Sequence, residues 1–312
     1  MIKKECFTAE WIEQVSSELH YNDKNLIEKV IRALSLLEML VKAGCPLVFK
    51  GGTALMLILG KSAHRLSIDI DLICPPGTNI EDYLKSFADF GFINLELVER
   101  KQRDDADIPK SHSKFFYQIA YRNDTDAQSY ILLDVLYEDI HYFRTQQIAI
   151  NCPFIRLEGK PLMVTVPSAE DILGDKLTAF APNTTGIPYY RNGRSCSMEI
   201  AKQLYDVGRL FENVSDLQIT KEAFRKIAVV ELSYRSFGTD IGQVFNDIRQ
   251  TALCISTRGK AGEGDFDLIQ DGIIRVKSFM YKQRYLIDHA IIDAARAAYL
   301  ATLIEKGINE IE

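Results

Sequence analysis

Asp69 and Asp71 stand two apart in Ser-Ile-Asp-Ile-Asp-Leu-Ile (67–73), and upstream of them the adjacent glycines Gly51 and Gly52 lie between Lys50 and Thr53. Side chains two apart on a strand emerge on one face with Cα atoms roughly 6 to 7 Å apart. That spacing suits hard carboxylate ligands around a pair of magnesium or manganese ions about 3.5 to 4 Å apart. Glycines at a strand-to-helix turn expose backbone N–H groups to a phosphate and let it approach, and the helix that follows adds the positive end of its dipole. Acidic metal ligands beside a polyphosphate cradle are the parts of phosphoryl or nucleotidyl transfer, with a nucleoside triphosphate as donor. Lys50 and Arg65 flank the site and are placed to meet phosphate, and Ser67 faces the same side as the aspartates.

Two-metal chemistry draws a third carboxylate from a neighbouring strand, and Asp134 in Ile-Leu-Leu-Asp-Val-Leu (131–136) is the candidate. A lone charge in a buried strand carries a heavy desolvation cost that a metal or an incoming hydroxyl would offset. Its expected roles are metal ligand and proton acceptor. Taken singly, each feature has a plainer reading, because a glycine pair is usually a tight turn and an Asp-x-Asp pair usually a solvated strand face. Their occurrence together at this spacing is what carries the assignment.

Other chemistries lack their signatures. Gly60-Lys61-Ser62 has the ending of a P-loop, but the first glycine of that motif would fall on Leu55. Neither Gly-x-Ser-x-Gly nor His-Glu-x-x-His occurs. His64 and His112 have no ligand partners at useful spacing, and the scattered cysteines form neither a zinc site nor a redox pair.

The combination Gly-Gly-Thr-Ala-Leu (51–55) with Arg-Leu-Ser-Ile-Asp-Ile-Asp-Leu (65–72) resembles the AbiEii/AbiGii nucleotidyltransferase toxins, a branch of the DNA polymerase beta superfamily found in toxin–antitoxin and phage-defence loci. The likeness continues through Glu-Asp-Ile-Leu-Gly-Asp-Lys (170–176) and Lys-Gln-Leu-Tyr-Asp-Val (202–207) and covers roughly residues 45 to 210. It implies that Gly52 and Thr53 contact the nucleotide phosphates and that Ser67, Asp69 and Asp71 line the metal site. Lys176 is implied to neutralise the triphosphate and Asp206 to complete the pocket. It also implies nucleotide addition to the 3′ end of tRNA and a cognate antitoxin encoded nearby. The chain departs from many relatives in having Gly52-Thr53 for Gly-Ser, and Lys202-Gln203 where they place an Arg-Asp pair. The competing readings are a nucleotide- or partner-binding protein with little catalysis, and a transferase acting on a small molecule or a protein.

Positioning these residues requires an α/β domain with a mixed sheet followed by a mainly helical one. A chain of 312 residues with 47% hydrophobic content can bury that much core. Strands are expected at 47–49, 67–73, 92–99, 115–121 and 130–136, and helices at 24–43, 53–59 and 81–90, with a charged loop at 100–114. From Ser168 the pattern turns helical, with helices at 199–211, 221–232, 241–256, 268–279 and 285–305 around a loop at 183–197. The expected division is a catalytic domain at 1–165 and, at 166–312, a helical domain that closes over the nucleotide. Arg191, Arg194 and Lys202 are placed there to meet RNA phosphates, with Tyr189 and Tyr190 to stack a base or ribose. A net charge of −6 argues against a nucleic-acid coat protein, and the absence of a long apolar run makes the cytoplasm the expected location, with no membrane contact.

Overall fold

A computed structural model describes residues 1–97, 110–121, 127–214, 216–234, 238 and 240–310. Its centre is a mixed five-stranded sheet of β1 (Val48–Lys50), β2 (Ile70–Cys74), β3 (Asn94–Leu97), β4 (Lys110–Gln118) and β5 (Gln128–Tyr137), in the order β1-β2-β5-β4-β3. β2 and β5 run parallel and the other neighbours antiparallel. On β4 and β5 the alternation separates two faces: Phe115, Tyr117, Ile131, Leu133 and Val135 are buried, while His112, Lys114, Phe116, Leu132 and Asp134 are half-buried. The buried face shares one apolar core with α1 (Ala9–Leu19) and α2 (Lys24–Lys42). Asp23 caps α2 by accepting from the Leu26 amide, and Gly44 follows its end with φ +77.

β1 turns directly into α3 (Gly51–Leu59). The two-stranded unit of β6 (Thr145–Ala149) and β7 (Met163–Pro167) leads to α4 (Ala169–Ala179), whose first turn is capped by Ser168. After the short hairpin β8 (Tyr190–Arg191) and β9 (Arg194–Ser195) come α5 (Ser197–Phe211), α6 (Leu217–Ser233), α7 (Ile241–Ser256), α8 (Phe266–Val276) and α9 (Ile287–Lys306). These helices enclose a second apolar core. Leu55 of α3 belongs to that second core, whereas Phe279 and Tyr281 return to the first.

The structure departs from the sequence pattern in several places. The helix expected at 81–90 is two 3-10 turns, Ile80–Tyr83 and Phe87–Phe90. Only Ile80 and Leu84 are buried there, too little to offset the cost of a continuous helix. Of the charged loop expected at 100–114, residues 110–114 belong to β4 and the rest lie outside the described residues. Residues 98 and 99 of the expected third strand also lie outside them. The expected loop at 183–197 contains the β8–β9 hairpin, whose turn residues Asn192 and Gly193 both have positive φ.

Candidate active site

Lys50 ends β1 opposite Asp71, and the chain then bends at Gly51 with φ +80. A Cβ built on Gly51 would lie 2.1 Å from Asp71 Oδ2, and one on Gly52 would lie 2.6 Å from Ser67 Oγ and 3.0 Å from Arg65 Nη2. The bend therefore touches the acidic strand, and only glycine fits there. α3 starts at this bend with no side-chain cap, so its first amides keep their donor capacity.

Asp69 immediately precedes β2 rather than lying within it. Its carbonyl accepts from the Thr53 hydroxyl at 2.7 Å. Thr53 is fully buried, and its hydroxyl is committed to the Asp69 carbonyl. Asp71 is in register with Asp134 on the parallel strand β5, which places these carboxylates on adjacent strands about 4.8 Å apart. Burial, then Asp69 and Asp134, push the Asp71 carboxyl up to about 7 against the opposing pull of Lys50 and Lys176. Burial also raises Asp69, with Lys202 opposing and Asp134 adding to the rise. Lys50 is held above its ordinary value: burial alone would lower it, and Asp175, Asp71, Glu138 and Glu231 overcome that.

Asp134 differs from the lone buried charge expected from sequence. Its side chain is 34% exposed on the open face of the sheet, and its Oδ1 lies 2.5 Å from His112 Nδ1. His112 is its cross-strand partner on β4, so this histidine does have a companion near the site.

The three carboxylates suit a divalent cation by donor type and charge: after burial, the repulsion of Asp69 and Asp134 adds to the rise at Asp71, and a cation would relieve it. They are not gathered into a finished cage: among the described residues no three His, Cys, Asp or Glu side chains are drawn close enough to enclose an ion.

Sequence and structure comparisons bear on this arrangement of bend and acidic strand. The family described as Nucleotidyl transferase AbiEii toxin, Type IV TA system, matches residues 34–285. The chain belongs to the AbiEii nucleotidyltransferase toxin family. No curated protein is a significant match. Among solved structures, MenT4, nucleotidyltransferase toxin Rv2826c from Mycobacterium tuberculosis H37Rv, is 15% identical with a TM-score of 0.50, over 94% of this chain and 89% of that one. JHP933 from Helicobacter pylori is 17% identical with a TM-score of 0.47, over 90% and 94% of the two chains. The first of these shares the fold. This AbiEii-family chain is thus a nucleotidyltransferase toxin of a type IV toxin–antitoxin system, and membership implies a nucleoside triphosphate substrate and an antitoxin partner.

In this AbiEii-family chain the remaining candidate residues, Arg65, Lys176 and Asp206, form a clamp beside the glycine bend. Arg65 Nη2 donates to both carboxylate oxygens of Asp206 at 2.7 Å and Arg65 Nε to Oδ1 at 3.0 Å. Lys176 Nζ lies 3.1 Å from Asp206 Oδ2 and donates to Gln203 Oε1 at 2.9 Å. Burial alone would raise Asp206, but Arg65 and Lys176 hold its carboxyl below the ordinary value. All three charges are buried. Gln203, one of the departures from the relatives' pattern, therefore positions Lys176. Lys202 lies 3.8 Å from the centre of the Phe279 ring, and burial and then Arg65 push it down to about 8. The β8–β9 hairpin exposes Tyr190, Arg191 and Arg194 but packs Tyr189 against the helical core, which removes Tyr189 as a stacking residue.

Proposed function

We propose that this toxin transfers a nucleoside monophosphate from a nucleoside triphosphate to the 3′ hydroxyl of an RNA, with tRNA as the acceptor, in the cytoplasm. The observation that carries the reading is the contact of the Gly51 bend with Asp71, which sets a polyphosphate cradle against the acidic strand. Asp69, Asp71 and Asp134 would hold divalent metal, magnesium in the first instance. When bound, that metal supplies positive charge that polarises the α-phosphate and neutralises the leaving pyrophosphate.

The chain's own residues do the rest. The amides at Gly51 and Gly52 and the ammonium of Lys50 meet the phosphates, and Ser67 and Arg65 lie against Gly52. Lys202 adds a cation on the Asp69 side. The acceptor oxygen attacks the α-phosphorus, its proton passes to Asp134, and pyrophosphate leaves. His112 fixes the carboxylate that takes this proton. Asp206, itself paired with Lys176, holds Arg65 in place, and the region 166–312 acts as the helical domain that closes over the nucleotide.

Incubating the protein with total RNA, magnesium chloride and each α-labelled triphosphate tests the reading. Label should enter small RNA with at least one donor and vanish with a chelator or in Asp69→Asn. Absence of labelled RNA with every donor would refute it.

A further inference from the structure

Beyond the His112–Asp134 pair, the open face of β4 and β5 continues as a strip of side chains that the transfer chemistry does not use. Cross-strand register places His112 opposite Asp134, Lys114 opposite Leu132 and Phe116 opposite Tyr130. All six are half-buried or exposed, on the opposite side of the sheet from the apolar core. Tyr130 is 39% exposed, and its ring lies 5.7 Å from that of Phe116, tilted by 55°. Two ammonium groups flank it: Lys29 of α2 at 5.5 Å and Lys114 at 5.4 Å from the ring centre. β2 begins opposite Leu133, so the stretch of β5 carrying Tyr130 has no partner from β2. Lys114 also pairs with Glu96 at 3.5 Å, an exposed contact that a phosphate can replace.

We infer that this strip is the acceptor track: a single-stranded RNA 3′ end lies along β5, with a base stacked on Tyr130 and its backbone phosphates held by Lys29 and Lys114. The inference rests on the nucleotidyl-transfer reading of the site and specifies where its acceptor binds. Aromatic rings exposed between cations are what an unpaired strand needs, since every base offers a π-face and every link a negative charge. A double helix keeps its bases stacked internally and cannot use such a ring. Position supplies the second argument. Tyr130 precedes Asp134 by four residues, a run of roughly 13 Å at about 3.3 Å per residue. At about 3.4 Å per stacked nucleotide, that distance is spanned by no more than about four nucleotides. The bases just upstream of a 3′ hydroxyl held at Asp134 therefore fall on Tyr130. The chain's overall charge of −6 makes two cations bracketing one exposed ring a local feature rather than a reflection of composition.

The test measures binding of a fluorescently labelled single-stranded RNA octamer and steady-state transfer to the same oligonucleotide, in wild type, Tyr130→Ala, Tyr130→Phe and Lys114→Ala. Tyr130→Ala should weaken octamer binding about tenfold, in line with the loss of one stacked base. Its KM for RNA should rise while its KM for the triphosphate stays put. Tyr130→Phe should restore both values, and Lys114→Ala should flatten the salt dependence of binding. Unchanged octamer binding in a folded Tyr130→Ala would overturn the track, as would equally strong competition by a duplex of the same sequence. Wild-type transfer only to a protein or small molecule would also overturn it, while leaving nucleotidyl transfer standing. If wild type transfers nothing to any acceptor, the proposed function falls, and the octamer titration alone then decides whether the strip binds RNA.

Discussion

Burial and two neighbouring carboxylates hold the Asp71 carboxyl near 7 in the folded chain, against an ordinary value of 3.8. The folded state thus binds more protons than the unfolded one between those values. The contribution of Asp71 to stability therefore falls as pH rises through that window and is at its lowest above pH 7. Asp71→Asn should unfold at a higher temperature than wild type at pH 8, with the gap closing towards pH 4, in metal-free buffer. A divalent cation should raise the melting temperature of wild type more at pH 8 than at pH 6, because at the lower pH it must displace a proton. A cation response independent of pH would mean that Asp71 is not a ligand. The aspartate pair draws attention in the sequence only together with the glycines upstream of it, and the partner of Asp134 has no sequence signal. His112 meets it only because β4 folds back on β5, and no local pattern records that pairing. His112→Ala should lower kcat about 10- to 100-fold with little change in KM for the triphosphate, since it loosens the group that accepts the proton. His112→Asn should recover part of the loss, and full activity in His112→Ala would remove the histidine from the mechanism.

At the scale of elements, the bend between β1 and α3 and the clamp between α4 and α5 decide whether the residues meet. Gly51→Ala places a methyl 2.1 Å from Asp71 Oδ2 at a backbone angle that side chains rarely adopt. It should abolish measurable transfer and destabilise the protein by about 1–3 kcal/mol, the scale of local backbone strain. Wild-type activity in this variant would show that the bend tolerates a side chain and does not press on the acidic strand. The glycine bend and the turn to helix at Ser168 could be read from sequence because each depends on neighbouring residues. The β8–β9 hairpin and the short turns at 80–90 could not, because burial by distant segments decides between helix and turn there. The tie from Arg65 to Asp206 joins residues 141 apart, and although each lies in a motif of its own, no local pattern links them.

For the whole molecule, the question is whether the two apolar cores behave as one cooperative unit. Residues 279–281 return from the helical half and lie along 64–66: the Leu66 amide donates to the Phe279 carbonyl at 2.8 Å, and the Tyr281 amide to the His64 carbonyl at 3.1 Å. Tyr281 packs edge-on against Phe154 at 5.3 Å, and its hydroxyl donates to the Ala63 carbonyl. Leu55 reaches the opposite way, into the helical core. The Arg65–Asp206 pair bridges the same boundary beside the Gly51 bend. Asp206→Ala leaves Arg65 and Lys176 buried without their counter-charge, which costs about 3–5 kcal/mol. Since that cost falls on the link between the cores, calorimetry should show one transition for wild type, with matching calorimetric and van't Hoff enthalpies. Asp206→Ala should melt lower and broaden or split into two transitions as the halves lose their coupling. The depressed Asp206 carboxyl sets the pH dependence: its stabilisation is present above the ordinary value of 3.8 and is lost as pH falls through the lower folded value. Asp206→Ala should therefore remain less stable than wild type from pH 5 to 8 and approach it only in strong acid. Two resolved transitions in wild type would show that the clamp serves the site without coupling the halves.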